Sequence, residues 1–253
     1  MSAYESFARV YDELMDQVPY DTWCTFIQEE LAQHGITGGL SLELGCGTGK
    51  MMERMAAAGF DMIGVDSSMD MLQIAMEKSQ DLPYSLLYLL QDMREFELYG
   101  TVESIVSICD SVNYITEPED LLEVFRLVNN YLDPGGIFLF DFNTEHKYRD
   151  SIGERTIAED REDVSFIWYN EYDEEEHLNY IDLNVFVREE EDLFRKYQEE
   201  HVQRGYTLSE MKELIENSGL VFLAAYDDYT KKPATKESER IVIVAREQGK
   251  GEQ

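Results

Sequence analysis

The run Leu42-Glu43-Leu44-Gly45-Cys46-Gly47-Thr48-Gly49-Lys50 sets three glycines at alternate positions. An apolar stretch (40–44) leads into it, and a stretch with helical spacing (50–58), closed by Gly59, follows. A strand that passes through a glycine loop into a helix leaves bare backbone open to a ligand's atoms. Asp66 ends the next apolar stretch (61–66), about 20 residues on, where Rossmann-type sites place a carboxylate on ribose hydroxyls. Together these features imply a cofactor that contains adenosine. The glycines follow G-x-G-x-G rather than G-x-G-x-x-G, and the place of Lys50 does not fit the longer phosphate-binding loop. Glu43 at the strand end suits a ligand carrying ammonium and sulfonium groups better than one with two phosphates, because opposite charges attract in a partly desolvated cleft.

Outward from this loop, strands and helices alternate. After the strand at 61–66 come a helix at 69–79 entered through Ser67 or Ser68, strands at 86–90 and 102–109, a helix at 118–132, and a strand at 137–142 reached through Asp133-Pro134-Gly135-Gly136. This pattern implies an α/β fold with a parallel, doubly wound sheet. Two helices precede it, one with an apolar stripe from Tyr4 to Val18 and one near 23–32. From about residue 163 to 203 the spacing changes to two: Ile181, Leu183, Val185 and Val187 share one face of a strand. That region reads as an antiparallel insert with strands at 164–172, 178–187 and 193–203, joined by acidic turns expected to be solvated. Thr207 and Glu210 have the spacing of a capping box, opening a last helix, and strands at 220–226 and 240–245 follow. The domains expected are therefore 1–142 with 205–246, a cap subdomain at 143–204 inserted between them, and a flexible tail at 247–253.

A net charge of -32, from 21 Lys+Arg against 53 Asp+Glu, repels phosphate backbones and anionic lipid. Lys231, Lys232, Lys236 and Arg240 are too few for a nucleic-acid groove, so a nucleic-acid partner is not expected. Three cysteines without CxxC spacing point to neither disulfides nor a metal site, and a reducing cytoplasmic setting fits them. The N-terminus lacks the pattern of a signal peptide, and no apolar run is long enough for a membrane span.

With these residues in view, the chain resembles the class I S-adenosylmethionine-dependent methyltransferases. Glu43-Leu-Gly45-Cys46-Gly47-Thr-Gly49 matches the first motif of that family. Asp66-Ser67-Ser68-Met69 is similar to its second-strand carboxylate and helix start, Gln91-Asp92-Met93 to its adenine-edge segment, and Cys109-Asp110-Ser111 to the end of its fourth strand. The resemblance implies a mostly parallel, seven-stranded Rossmann-like sheet, S-adenosyl-L-methionine as cofactor and S-adenosyl-L-homocysteine as its product. It further implies that Gly45, Cys46 and Gly47 line the methionine part, that Asp66 holds the ribose hydroxyls, and that Asp92 accepts from the adenine amino group. Met93 would use its backbone N–H on a ring nitrogen, Ser67 and Met71 would flank the ring, and Asp110 would complete the cofactor set. Phe7-Ala8-Arg-Val-Tyr11-Asp12 and Asp110-Ser-Val-Asn113-Tyr114 are similar to a bacterial branch of small-molecule-like methyltransferases with a small antiparallel insert, a resemblance that does not fix the acceptor and in which Tyr11 and Trp23 would close over the cofactor.

For Tyr11 and Trp23, periodicity supports core packing equally well. The reaction implied is methyl transfer to a nitrogen, oxygen or carbon nucleophile of a small-molecule acceptor, whose chief need is a near-attack geometry. Asp141 and His201 are the candidates for a proton acceptor. His201, Arg204 and Tyr206 lie where the insert rejoins the core, so His201 either faces an acceptor or is a surface histidine on an acidic strand. Two rivals stand beside this reading: a nicotinamide-dependent oxidoreductase, against which the glycine spacing speaks, and a protein that binds the cofactor or a partner without turnover.

Overall fold

The computed structural model describes residues 3–190 and 193–250. The side chains of Tyr4 and Phe7, and residues 191–192 and 251–253, on which parts of the sequence reading fall, lie outside the described residues. Helices α1 (Ala3–Leu14) and α2 (Tyr20–Gln33) lead into β1 (Gly39–Leu44), α3 (Lys50–Ala57), β2 (Phe60–Asp66), α4 (Met69–Ser79), β3 (Leu87–Leu90), β4 (Val102–Ser107), α5 (Pro118–Tyr131) and β5 (Leu132–Asn143). The insert contributes β6 (Arg155–Asp160), β7 (Val164–Asp173), β8 (Leu178–Glu190) and β9 (Leu193–Arg204). The chain returns through α6 (Leu208–Asn217), β10 (Val221–Asp227) and β11 (Arg240–Arg246).

Seven strands form the main sheet in the order β10-β11-β5-β4-β1-β2-β3. β1 to β5 pair in parallel, while β11 runs antiparallel to both of its neighbours. Apolar residues alternate faces along the central strands. Phe138, Phe140 and Phe142 of β5 join one core with Leu121, Val124 and Phe125 of α5 and Met211 and Ile215 of α6. Ile137 and Leu139 face the other core, with α2 and the methionines Met51, Met52 and Met55 of α3. A sheet covered on both faces needs apolar residues at nearly every position, which is why these strands read as continuous hydrophobic runs. Helix starts follow local chemistry. Pro118 occupies the first turn of α5, the Ser68 side chain accepts from Met71 N at 3.3 Å, and Thr207 and Glu210 make both bonds of the capping box.

The insert is a four-stranded antiparallel sheet, β6-β7-β8-β9. Its registers put Val164, Phe166, Trp168 and Asn170 of β7 on the same face as Ile181, Leu183, Val185 and Val187 of β8, as the alternation of β8 implies. Glu199 and His201 of β9 join that face opposite Leu183 and Ile181. Val10 of α1 packs with Val164 and Val185, so α1 is caught between the insert and the rest of the chain.

Four details differ from the sequence reading. β6 was not anticipated: every one of its residues is exposed, so it carries no hydrophobic alternation. A wide helical turn (Lys147–Ile152), closed by Gly153 N donating to Tyr148 O at 2.8 Å, precedes it. β4 stops at Ser107 because Cys109 and Asp110 take left-handed backbone angles, φ 56° and 52°. The tail does not fray directly after Arg246. Glu247 is buried, its carboxylate accepts from Gly135 N at 2.8 Å, and Lys250 Nζ donates to the carbonyls of Asn129 and Asn130 at 2.7 and 2.6 Å.

Candidate functional site

A cavity of about 580 Å³ opens at the carboxyl ends of β1, β2 and β4, between the glycine loop, α1 and the inner face of the insert. Its size falls within the roughly 300–1,000 Å³ usual for small-ligand sites, and its place is where open α/β sheets bind ligands. The glycine loop forms its floor. Gly45 has φ 71°, and a Cβ there would stand 2.6 Å from Ser111 Oγ, so only glycine fits. At Gly47 (φ 51°) a Cβ would meet no protein atom within 4 Å, which leaves room beside the backbone.

Asp66 accepts from Gly47 N and from Ser68 N, each at 2.8 Å, one bond to each oxygen. The second lone pair of each oxygen stays available to a ligand hydroxyl. Burial raises the Asp66 carboxyl, and raises that of Glu43 well above the usual range, with the neighbouring Asp66 charge adding to the latter. Glu43 Oε2 has no hydrogen-bond partner. Two desolvated carboxylates at one end of the cavity favour a guest with positive charge.

Asp92 and Met93 line the cavity beside Ser67 and Met71. The Arg94 guanidinium grips Asp92 with Nη2 to Oδ2 at 2.6 Å and holds its carboxyl below the usual range. Over the top, α1 supplies Tyr11. Asp12 next to it accepts from Thr48 Oγ1 at 2.5 Å and Lys78 Nζ at 2.8 Å, while Arg161 from the insert donates to Glu13 O at 2.6 Å. Helix α1 is therefore tied to the core on one side and to the insert on the other.

Of the residues expected at the site, Tyr11, Glu43, Gly45, Cys46, Gly47, Asp66, Ser67, Met71, Asp92, Met93 and His201 all line this cavity. Three do not. Trp23 is buried behind it, stacked on Tyr229 at 4.4 Å with the Arg240 guanidinium 5.3 Å from its ring, so it is a core residue and no part of a lid. Asp110 points away, toward Arg240 Nη2 at 2.6 Å and Gln203 Nε2 at 2.8 Å. Asp141 is fully buried, takes Cys109 N at 3.0 Å, Asp110 N and Arg240 Nη1 at 2.6 Å and the Tyr229 hydroxyl, and has no face toward the cavity. Its role is to hold the left-handed turn after β4, since its oxygens collect the N–H groups that turn leaves unpaired. The Cys109 thiol is pushed up by burial and by the Asp141 charge, the reverse of a reactive thiol.

Sequence reasoning missed Tyr20, Ser111, Tyr114, Phe166, Trp168 and Glu199, all of which line the cavity. One signal for Glu199 existed. It falls in phase with the inward residues of the insert, where a carboxylate interrupts an apolar face. Asn113 was missed as a fastener: its amide donates to Asn143 O at 2.8 Å and Arg204 O at 2.7 Å, stitching the core to both ends of the insert.

Comparison with known proteins places these features in company. Residues 42–136 match the family model described as a methyltransferase domain. A protein named as a methyltransferase, YqeM of Bacillus subtilis (strain 168), is 36% identical over 245 residues, covering 96% of each chain. An S-adenosylmethionine-dependent methyltransferase of Clostridium acetobutylicum ATCC 824 has a solved structure that superposes with a TM-score of 0.89 at 28% identity, over 98% of this chain and 100% of that one. A dTDP-3-amino-3,4,6-trideoxy-alpha-D-glucopyranose N,N-dimethyltransferase of Streptomyces venezuelae is 32% identical over 100 residues, 40% of each chain.

Proposed function

The chain belongs to the class I S-adenosylmethionine-dependent methyltransferases, and on that premise we propose that it methylates a small molecule held between the glycine loop and the insert. The observation that carries this is one cavity lined on one side by Gly45, Asp66 and Asp92 and on the other by Trp168, Leu183 and His201. Its roof is the inner face of the insert and α1, which leaves a chamber suited to a cofactor and a compact acceptor rather than to a polymer. The charge of -32 argues the same way against nucleic acid. The dimethyltransferase of Streptomyces venezuelae, which acts on an amino sugar nucleotide, lends support to a small acceptor.

The residues present fit S-adenosyl-L-methionine. The unpaired, buried Glu43 oxygen suits its positive charge, the Asp66 oxygens suit hydroxyls, and the open space at Gly47 suits close approach to backbone. In our reading Gly45, Cys46 and Gly47 take the methionine part, Asp66 the ribose hydroxyls, Asp92 and the Met93 backbone the adenine edge, with Ser67 and Met71 flanking the ring. When bound, the cofactor supplies a methyl group on a sulfonium; the bond to the acceptor forms as the carbon–sulfur bond breaks and its pair stays on sulfur. The protein's own contribution is placement, exclusion of water by α1 and the insert, and removal of an acceptor proton. With Asp141 walled off, His201 is the one of the two proposed proton acceptors that reaches the cavity. A soluble cytoplasmic setting is part of this proposal. No helix among the described residues is long and apolar enough to cross a membrane.

Calorimetry with S-adenosylmethionine, S-adenosylhomocysteine and NADH, followed by incubation of fractionated small-molecule extract with methyl-labelled cofactor, tests the reading. Saturable binding of the first two, with label entering a small molecule in a protein-dependent way, is expected. Label appearing only in RNA or protein would overturn it.

A further inference from the structure

Glu199 stands in the middle of β9 with its side chain 1% exposed, lining the cavity, and neither of its carboxylate oxygens has a hydrogen-bond partner. It lies in a cross-strand row with Leu183 and Trp168. A carboxylate desolvated among apolar neighbours is costly unless donors reach it, so this one is built for a guest. The nearest cationic candidate is His201, whose Nε2 is 3.2 Å from Glu199 Oε2 while its Nδ1 is 3.3 Å from the Tyr114 hydroxyl. The other bases around the cavity are already engaged: Lys50 donates to Asp12 O at 2.8 Å, and Arg94 is bound to Asp92.

We propose that Glu199, flanked by His201 and Tyr114, forms the acceptor subsite and selects an amine. This rests on the methyltransferase reading above and names its substrate class. A protonated amine brings several N–H donors and a positive charge to a buried carboxylate that makes no hydrogen bond of its own and meets His201 Nε2 at one oxygen, where a hydroxyl brings one donor and no charge. Charge-assisted bonds of this kind are roughly twice as strong as neutral ones. Trp168 and Tyr114 add aromatic faces, which attract cations. Glu199 then serves as the first proton acceptor: R–NH3+ and the carboxylate become R–NH2 and the carboxylic acid, and the freed lone pair is the nucleophile. His201, adjacent to the more exposed Tyr114, passes the proton toward solvent.

The test is equilibrium binding to the full chain saturated with S-adenosylhomocysteine, using two matched pairs of probes: benzylamine with benzyl alcohol, and cyclohexylamine with cyclohexanol. In the wild type each amine should bind at least tenfold more tightly than its alcohol. Glu199→Gln should bring that ratio close to one while the affinity for S-adenosylhomocysteine stays the same. No preference in the wild type, or a preference that survives Glu199→Gln, overturns the amine subsite. If Glu199→Gln fails to fold, the wild-type ratio alone decides. Failure of S-adenosylhomocysteine to bind the wild type would instead sink the cofactor reading, and this subsite with it; binding of that product without any amine preference sinks the subsite alone.

Discussion

The two sheets of this protein bury their residues in different ways. In the main sheet β1, β4 and β5 are covered on both faces, with Leu42, Leu44, Ile105, Val106, Phe138, Leu139 and Phe140 all 0–1% exposed. In the insert only alternate residues are covered. Val164 and Val185 are buried, whereas Ile167 and Tyr180 on the outer face are 43% and 39% exposed. A sheet buried on both sides holds position against perturbation at either face, and it carries the glycine loop and the carboxylates. A sheet buried on one side can exchange inward residues without unfolding the core. On the proposed function, the division puts cofactor geometry on the sheet covered on both faces and acceptor geometry on the sheet covered on one.

The comparison breaks most visibly at Arg240. This side chain bridges Asp141 on β5 and Asp110 after β4, so Arg240→Ala should strand buried carboxylate charge and cost about 3–5 kcal/mol in urea unfolding. A loss below about 1 kcal/mol would mean the two carboxylates do not depend on it. Next, Asp66→Ala should lower affinity for S-adenosylhomocysteine by about tenfold or more, because bonds to a charged group contribute about 1.5–3 kcal/mol. Calorimetry decides, and unchanged affinity would remove Asp66 from the site.

Protonation sharpens the contrast further. The Glu43 carboxyl is raised by burial and by Asp66, so the folded state holds this proton more tightly than the unfolded chain. Its contribution to stability is thus complete at low pH and is lost as pH rises through and above the ordinary carboxylate range. Relative to the wild type, Glu43→Gln without cofactor should gain melting temperature as pH rises, and the gain should shrink when S-adenosylmethionine is added. A difference that stays flat with pH would contradict the raised carboxyl. Just past the end of β11, Glu247→Ala should cost about 1 kcal/mol by freeing Gly135 N. The smallest effect is expected on the outer face of the insert: Ile167→Thr should change unfolding free energy by no more than about 0.5 kcal/mol. A larger loss would show that a further surface covers that face.

Much of the site was legible because its signals are local. Gly45, Gly47, Asp66, Asp92 and Met93 sit at the ends of consecutive parallel strands, and parallel strands bring such ends together automatically. Trp23, Asp110 and Asp141 were misplaced for a common reason. Each satisfies a partner distant in sequence, Tyr229 for the first and Arg240 for the other two, and spacing along the chain carries no trace of those pairings. β6 escaped because an edge strand exposed on both sides has no periodicity to read.

What the sequence by itself determined was therefore the order of elements apart from β6, the glycine loop with its carboxylates, and the phase of the insert strand from Ile181 to Val187. These follow from backbone freedom, charge and hydrophobic period, which act over a few residues. Only the tertiary structure decided which face of β9 meets the cavity, that Glu199 is buried there without donors beside His201, and that Asp141 is locked behind it. Those outcomes depend on the docking of one sheet onto another, where burial is a property of the contact between distant segments and not of either one alone.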